Sequence, residues 1–185
     1  MITARAGAGL LILTVGVMPS MAARSASAAS AAEINRDAGA ALDKLYAAVP
    51  EARTLGSKAR AILIFPKITK AGFMFGAQYG DGLLRRQGKP VGYYNTVAAS
   101  YGFQAGIQQF GYVLFFMTDG AREYLNKSGG FEVGVGPSIV VLDSGTAKSM
   151  TTTTMQHDIY AMIFAQKGLM GGAGLQGTKI SRIEK

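Results

Sequence analysis

Cysteine is absent from this chain of 185 residues, and histidine occurs only once. Without cysteine the protein has no disulfide, no thiol chemistry and no cysteine-ligated zinc site. The same absence excludes a lipid-anchored lipoprotein, because that anchor requires a cysteine at the point of cleavage. Stability must therefore come from an apolar core, and the 49% of hydrophobic residues is enough for a single domain.

Patterns typical of catalytic or metal sites are also scarce. His157 stands beside Asp158, but neighbouring residues of a strand point to opposite faces, so the pair indicates a structural or surface role. No serine occupies a G-x-S-x-G turn, and the 11 acidic residues form neither an EF-hand loop nor an H-E-x-x-H motif. Asp81, between two glycines, is compatible with the lining of a pocket but better fits a strand bend.

The glycine strings do not form nucleotide-binding loops. The run from Gly171 to Gly174 lacks the Lys-Ser/Thr pair that follows a phosphate-binding loop. Gly134 and Gly136 lack the third glycine of a dinucleotide fingerprint, and both strings fit glycines within strands. We therefore expect a protein that is not an enzyme, has no metal site and needs no cofactor.

The first 28 residues are laid out like a secretory signal peptide. Arg5 precedes an apolar segment, residues 8–17, and a stretch of small residues ends in an A-x-A site. The apolar segment is shorter than the roughly 20 residues that a membrane-spanning helix needs. We predict cleavage after Ala28, with Ala22 or Ala23 as alternatives, and export by the general secretory route to the periplasm or beyond.

Positive charge exceeds negative charge in this chain. The formal net charge is +8, and it becomes +6 when Arg5 and Arg24 leave with the signal peptide. A basic exported protein is attracted to anionic surfaces, and nucleic acid is not expected as a partner outside the cytoplasm. The charges are spread along the chain, so an ordinary solubilising surface is the alternative interpretation. Residues 29–185 are predicted to form one domain.

Glycine is expected to shape the first strands. Ala61–Phe65 is an unbroken apolar run that predicts a buried strand, which Pro66 should end because proline lacks a backbone donor. The next strand has one face with little side chain, which comprises Gly72, Met74, Gly76, Gln78, Gly80 and Gly82. Such a face predicts a sharp bend, or another group packed close against the main chain.

Helices are expected before the sheet and once within it. Apolar periodicity predicts an amphipathic helix over Glu33–Val49, either packed on the sheet as a lid or inserted into a membrane. Pro50 should open a second helix over Glu51–Lys58. Asp119 should cap a short helix that Gly129 and Gly130 end. Further strands are predicted over Val91–Ala98, Tyr101–Gln108, Tyr112–Met117, Phe131–Val135, Ile139–Leu142, Ile159–Ala165 and Leu169–Gly177.

These elements predict an α+β fold. The sheet should be strongly bent, glycine-rich, mainly antiparallel and barrel-like, with N-terminal helices and one short internal helix.

Four blocks of the sequence resemble the SYLF domain, which is also called the Ysc84 actin-binding or lipid-binding domain. The first is AILIFPKITKAGFMFGAQYGDGLL at residues 61–84. The others are YGFQAGIQ at 101–108, VGVGPS at 133–138 and KGLMGGAGLQGTKI at 167–180. Four blocks in the same order are more specific than any one of them, and the chain is identified as a bacterial exported member of this family.

The resemblance implies a non-catalytic protein that docks reversibly on anionic phospholipid surfaces. The candidate contacts are two predicted basic turns, the first flanked by Lys67 and Lys70 and the second over residues 85–90. Each exposed cation there would contribute about 1 kcal/mol. The candidate headgroup-binding residues are Lys58, Arg60, Lys67, Lys70, Arg85, Arg86 and Lys89. A protein-interaction or scaffold module of the cell envelope is the alternative function, and a small outer-membrane β-barrel is another.

Overall fold

A computed structural model describes residues 29–127, 130–133, 135–142, 147, 156–168 and 178–185. Within the strands, the side chains of residues 73, 74 and 100–105 are outside this description. The predicted signal peptide, the predicted strand Leu169–Gly177, and Gly129 and Gly134 lie outside the described residues.

The described residues form three helices and six strands. Helix α1 spans Ala31–Ala48, α2 spans Glu51–Lys58 and α3 spans Asp119–Tyr124. The strands are β1 at Ala61–Arg86, β2 at Lys89–Phe116, β3 at Phe131–Glu132, β4 at Ile139–Leu142, β5 at Ile159–Gly168 and β6 at Lys179–Ile183. Strands β1 and β2 have 26 and 28 residues, and β2 is long enough to bend and to pair with both β5 and β6 as well as with β1.

The strands form one sheet in the order β3-β6-β2-β5-β4, and β1 pairs along β2. All of these pairings are antiparallel except that of β4 with β5. The first part of β2 pairs with β6 and the second part with β5, so the bend of β2 curls the whole sheet into a half-barrel. The predicted α+β fold with a strongly bent, mainly antiparallel sheet is confirmed.

The glycine-rich face of β1 lies against an earlier part of the same strand. A Cβ atom added at Gly80 would lie 2.8 Å from the carbonyl oxygen of Lys67, and one at Gly82 would lie 2.8 Å from that of Ile64. Only a glycine permits this approach of two backbones. The prediction that something packs close against the main chain on this face is therefore confirmed at both positions, and backbone is among the approaching groups.

Two apolar cores lie on opposite faces of the sheet. The inner core fills the half-barrel with aromatic side chains such as Phe65, Tyr112 and Phe131. The outer core joins the apolar face of α1 to the outer side of the sheet, where Val113 and Phe115 are fully buried. Helix α1 is therefore a lid packed on the sheet, and no helix in the described residues has the length and apolarity needed to cross a membrane.

The start of α1 lies two residues before the predicted position. The Ser30 hydroxyl accepts a hydrogen bond from the backbone N–H of Glu33, and the Glu33 carboxylate accepts one from the N–H of Ser30 at 2.8 Å. This reciprocal capping box satisfies backbone donors that a helix start leaves unpaired, so the helix begins at Ala31.

The sequence-based prediction that Pro66 ends a strand is wrong, and so is the prediction of a turn between Lys67 and Lys70. Strand β1 continues through Pro66, Lys67 and Lys70, and its pairing with β2 has a register shift between Phe65 and Ile68. A bulge leaves residues unpaired, so proline can occupy it without removing a ladder hydrogen bond.

Two other boundaries also differ. The three strands predicted between Val91 and Met117 are one continuous strand, in which the pairing of β2 with β1 resumes after a register shift between Phe73 and Phe75. The cap of α3 is Thr118, whose extended backbone lets its hydroxyl accept the N–H of Ala121 at 3.2 Å, whereas Asp119 is the first helical residue.

Asp158 joins three elements near the start of β5. Its carboxylate accepts hydrogen bonds from the N–H and hydroxyl of Ser138 at 3.1 and 3.0 Å, and from the hydroxyl of Thr118 at 3.2 Å. These bonds, that of the Ser138 backbone first, lower the pKa of Asp158 below its ordinary value of 3.8. The residue therefore has a structural role, as the sequence indicated.

The close backbone contact in β1 predicts a strong difference between two glycines. Gly82→Ala should lower the free energy of unfolding by about 1–3 kcal/mol, since its Cβ would meet the Phe65 ring and the Ile64 carbonyl. Gly120→Ala in α3 is the control, because its Cβ would meet nothing within 4 Å. Denaturant unfolding measures both variants, and equal stabilities would contradict the described contact.

Asp158→Asn should make the free energy of unfolding less sensitive to acidic pH. The pKa of Asp158 is lower in the folded state, so the contribution of its carboxylate is complete above about pH 4 and is lost as pH falls through the folded value. At pH 7 we expect the variant to be less stable by about 1 kcal/mol. Denaturant unfolding at pH 7 and pH 3 should show that difference shrinking, and a constant difference would argue against this role.

Candidate functional site

The seven basic residues predicted from the sequence are distributed over three parts of the structure. Lys58 and Arg60 lie where α2 leads into β1, and the Arg60 guanidinium is 3.9 Å from the carboxylate of Asp119. Lys67 is exposed at the bulge of β1, whereas Lys70 is only 7% exposed on the inner face of the sheet. The side chain of Lys67 therefore lies on the outer surface of β1, whereas the side chain of Lys70 does not.

The second predicted basic turn is present, between β1 and β2. Gln87 and Gly88 have positive φ angles of 49° and 77°, and Arg86 pairs with Lys89 across the turn. Arg85 is half-buried and donates a hydrogen bond to the backbone oxygen of Asn35 at 3.2 Å. Arg86 and Lys89 therefore face solvent at this turn, whereas Arg85 holds α1 against the sheet.

The outer side of the bent β1–β2 hairpin carries an exposed apolar surface that α1 does not cover. We call it the outer apolar face, and it consists of Ala71, Phe75, Ala77 and Tyr79 of β1 with Val97, Ala99 and Ile107 of β2. Phe75 is 70% exposed and Ile107 is 62% exposed, which is unusual for large apolar side chains that share one face. Such a face is typical of an interaction surface.

Exposed lysines border the outer apolar face on neighbouring strands. Lys179 of β6 pairs with Val97, which in turn pairs with Tyr79, so these three residues form one row across the sheet. Lys167 of β5 pairs with Gln109, two residues beyond Ile107. Together with Lys67 at the bulge, these residues place positive charge around an apolar surface.

A cavity of about 500 Å³ lies beside this face, where α1 begins. Asp81 lines the cavity and forms an ion pair of 3.1 Å with Lys185, whose ammonium also donates to the carbonyl of Ala29 at 3.0 Å. The Tyr79 hydroxyl donates a hydrogen bond of 2.5 Å to Asp81, which raises the pKa of Tyr79 to about 12. Lys185 therefore joins Asp81 of β1 to Ala29, just before α1.

His157 and Asp158 both contact other side chains of the fold. The His157 ring packs edge to face on Tyr160 with centroids 5.9 Å apart, and the Asp158 carboxylate is engaged by Ser138 and Thr118. No group of three or more His, Cys, Asp or Glu side chains among the described residues could hold a metal ion.

Sequence reasoning missed Lys167 and Lys179, because they come from the C-terminal part of the chain and reach the outer apolar face only by strand pairing. The alternation that separates Phe75, Ala77 and Tyr79 from the glycine-rich face was a usable signal. Alternation alone does not say which face a helix covers.

Comparison with known proteins identifies a family over part of the chain. No curated protein matches the chain. Residues 97–185 match the family model Ysc84, described as "Las17-binding protein actin regulator", and this match includes three of the four blocks that resemble the SYLF domain. Residues 97–185 are therefore similar to the Ysc84 domain, which is also called SYLF.

Proposed function

We propose that this protein docks reversibly on anionic phospholipid surfaces through its outer apolar face. In this arrangement Phe75 and Ile107 enter the headgroup region, and Lys67, Lys167 and Lys179 contact lipid phosphates. The match of residues 97–185 to the Ysc84 family model supports a binding role toward lipid or actin. The observation that carries the proposal is the exposure of Phe75 and Ile107, 70% and 62%, on a face bordered by lysines.

The expected energies suit weak, reversible binding. Transfer of a large apolar side chain from water to an apolar environment contributes roughly 1.5–3 kcal/mol when it is complete, and Phe75 and Ile107 would be transferred in part. Each lysine near an anionic surface adds about 1 kcal/mol, which salt screens within a distance of about 10 Å at 0.1 M. Docking should therefore need both the apolar face and the lysines.

This proposal modifies the role of the predicted basic turns. Lys67 keeps its place beside the outer apolar face, and Arg86 and Lys89 remain candidate contacts at the β1–β2 turn. Lys70 and Arg85 are turned inward, so we assign them to the fold rather than to the lipid. Lys67→Glu should weaken vesicle binding more than Arg86→Glu does.

The first test is flotation of the purified protein with vesicles. Mass spectrometry of the N-terminus should accompany it, because we also propose export with cleavage after Ala28. We expect binding to vesicles that contain phosphatidylglycerol, no binding to pure phosphatidylcholine, and loss of binding in high salt. Phe75→Ser combined with Ile107→Ser should weaken binding at least tenfold, since about 1.4 kcal/mol corresponds to a factor of ten.

A matched control separates this effect from a general loss of apolar surface. Val135→Ser combined with Val141→Ser removes two other apolar side chains that are 53% and 51% exposed, and should leave binding unchanged. Equal binding by the two double variants would overturn the role of the outer apolar face. Failure of the unmodified protein to bind any vesicle would instead favour a protein partner, and co-sedimentation with actin filaments would be the next measurement.

A further inference from the structure

A second basic surface lies at the edge of the sheet, next to β6. It is a cavity of about 410 Å³, which we call the β6 edge pocket. It is lined by Leu125, Asn126, Lys127, Gly130, Lys179, Ser181 and Arg182. All three charged residues of the lining are positive, and the other polar groups include a hydroxyl and a side-chain amide.

Neighbouring aromatic residues hold two of these side chains in position. The Lys127 ammonium lies 4.1 Å from the centre of the Tyr124 ring. The Tyr94 hydroxyl donates a hydrogen bond of 2.8 Å to the Oδ1 atom of Asn126. With its oxygen engaged, Asn126 retains its amide N–H groups as donors.

The three cations have little compensating negative charge close by. Among the residues that the structure describes, no carboxylate lies within 4.0 Å of the charged nitrogens of Lys127, Lys179 or Arg182. Glu132 is the register partner of Lys179 on β3, but it is exposed and forms no ion pair at that distance. An anion in the pocket would therefore relieve repulsion among the cations.

We propose that the β6 edge pocket binds a phosphate monoester. The guanidinium of Arg182 can donate two parallel hydrogen bonds to phosphate oxygens, and lysines bind the same group as point charges. A monoester carries a charge of about −1.5 to −2 at pH 7, which matches three cations better than the single charge of a phosphodiester. The ligand is either a soluble phosphate monoester or a lipid whose headgroup ends in one.

The lipid source rests on the proposed docking function, whereas the pocket itself does not. Lys179 lines the pocket and also stands in the row of Val97 and Tyr79 on the outer apolar face. A protein docked through that face would thus present the pocket at the headgroup layer.

The soluble arm of the test uses titration calorimetry with glycerol 3-phosphate. Lys127→Gln combined with Arg182→Gln should weaken binding at least tenfold. The control, Lys44→Gln combined with Arg53→Gln, removes equal charge from exposed helix positions and should leave affinity unchanged.

Glu132→Gln should tighten binding of glycerol 3-phosphate about twofold to fivefold, because it removes the carboxylate that is paired in register with Lys179. The phosphodiester glycerophosphocholine should not bind.

The lipid arm compares vesicles of phosphatidic acid with vesicles of phosphatidylglycerol at equal surface charge. The unmodified protein should prefer phosphatidic acid, the pocket double variant should bind both equally, and Phe75→Ser with Ile107→Ser should lose both. Circular dichroism of each variant checks that it is folded. Glycerol 3-phosphate binding without vesicle binding would support the pocket with a soluble ligand and overturn docking. Absence of both glycerol 3-phosphate binding and the phosphatidic acid preference would overturn the pocket, even if phosphatidylglycerol vesicles still bind.

Discussion

The contact of β1 with itself determines most of this structure. Near Gly80 and Gly82 the C-terminal part of β1 lies so close to the backbone of Ile64 and Lys67 that there is no room for a Cβ atom at either glycine. Because β2 pairs along the whole of β1, the same fold-over bends β2 and directs its two parts to β5 and β6. The half-barrel, its aromatic interior and the two opposite faces of the hairpin all follow from this approach.

The position of α1 decides which part of the outer side of the sheet remains exposed. The capping box at Ser30 sets where the helix begins, and the bond from Arg85 to the Asn35 carbonyl holds it on the sheet. Beyond the start of the helix, alternate residues of β1 and β2 face outward without cover. The outer apolar face is thus what the helix leaves uncovered, and the β6 edge pocket adjoins it because Lys179 lines the pocket and borders the face.

Much of the fold could be predicted from residue patterns, but the site only in part. The two N-terminal helices, the short internal helix and the bent glycine-rich sheet are all present. The predicted turn between Lys67 and Lys70 is absent, because β1 continues through a bulge there. The prediction failed because local sequence does not distinguish a proline within a bulge from a proline at the end of a strand. Lys70 was therefore proposed as a surface cation, although its side chain is buried.

The sequence by itself determined the local choices: apolar periodicity for α1, left-handed backbone at the Gln87–Gly88 turn, and one face of β1 with almost no side chains. These follow from the conformational preferences of each residue and its near neighbours. Only the tertiary structure decided that Lys167 and Lys179 lie beside residues of β1 and β2, far away in the chain. That placement depends on strand register and on the fold-over of β1, which are long-range properties that no local pattern specifies.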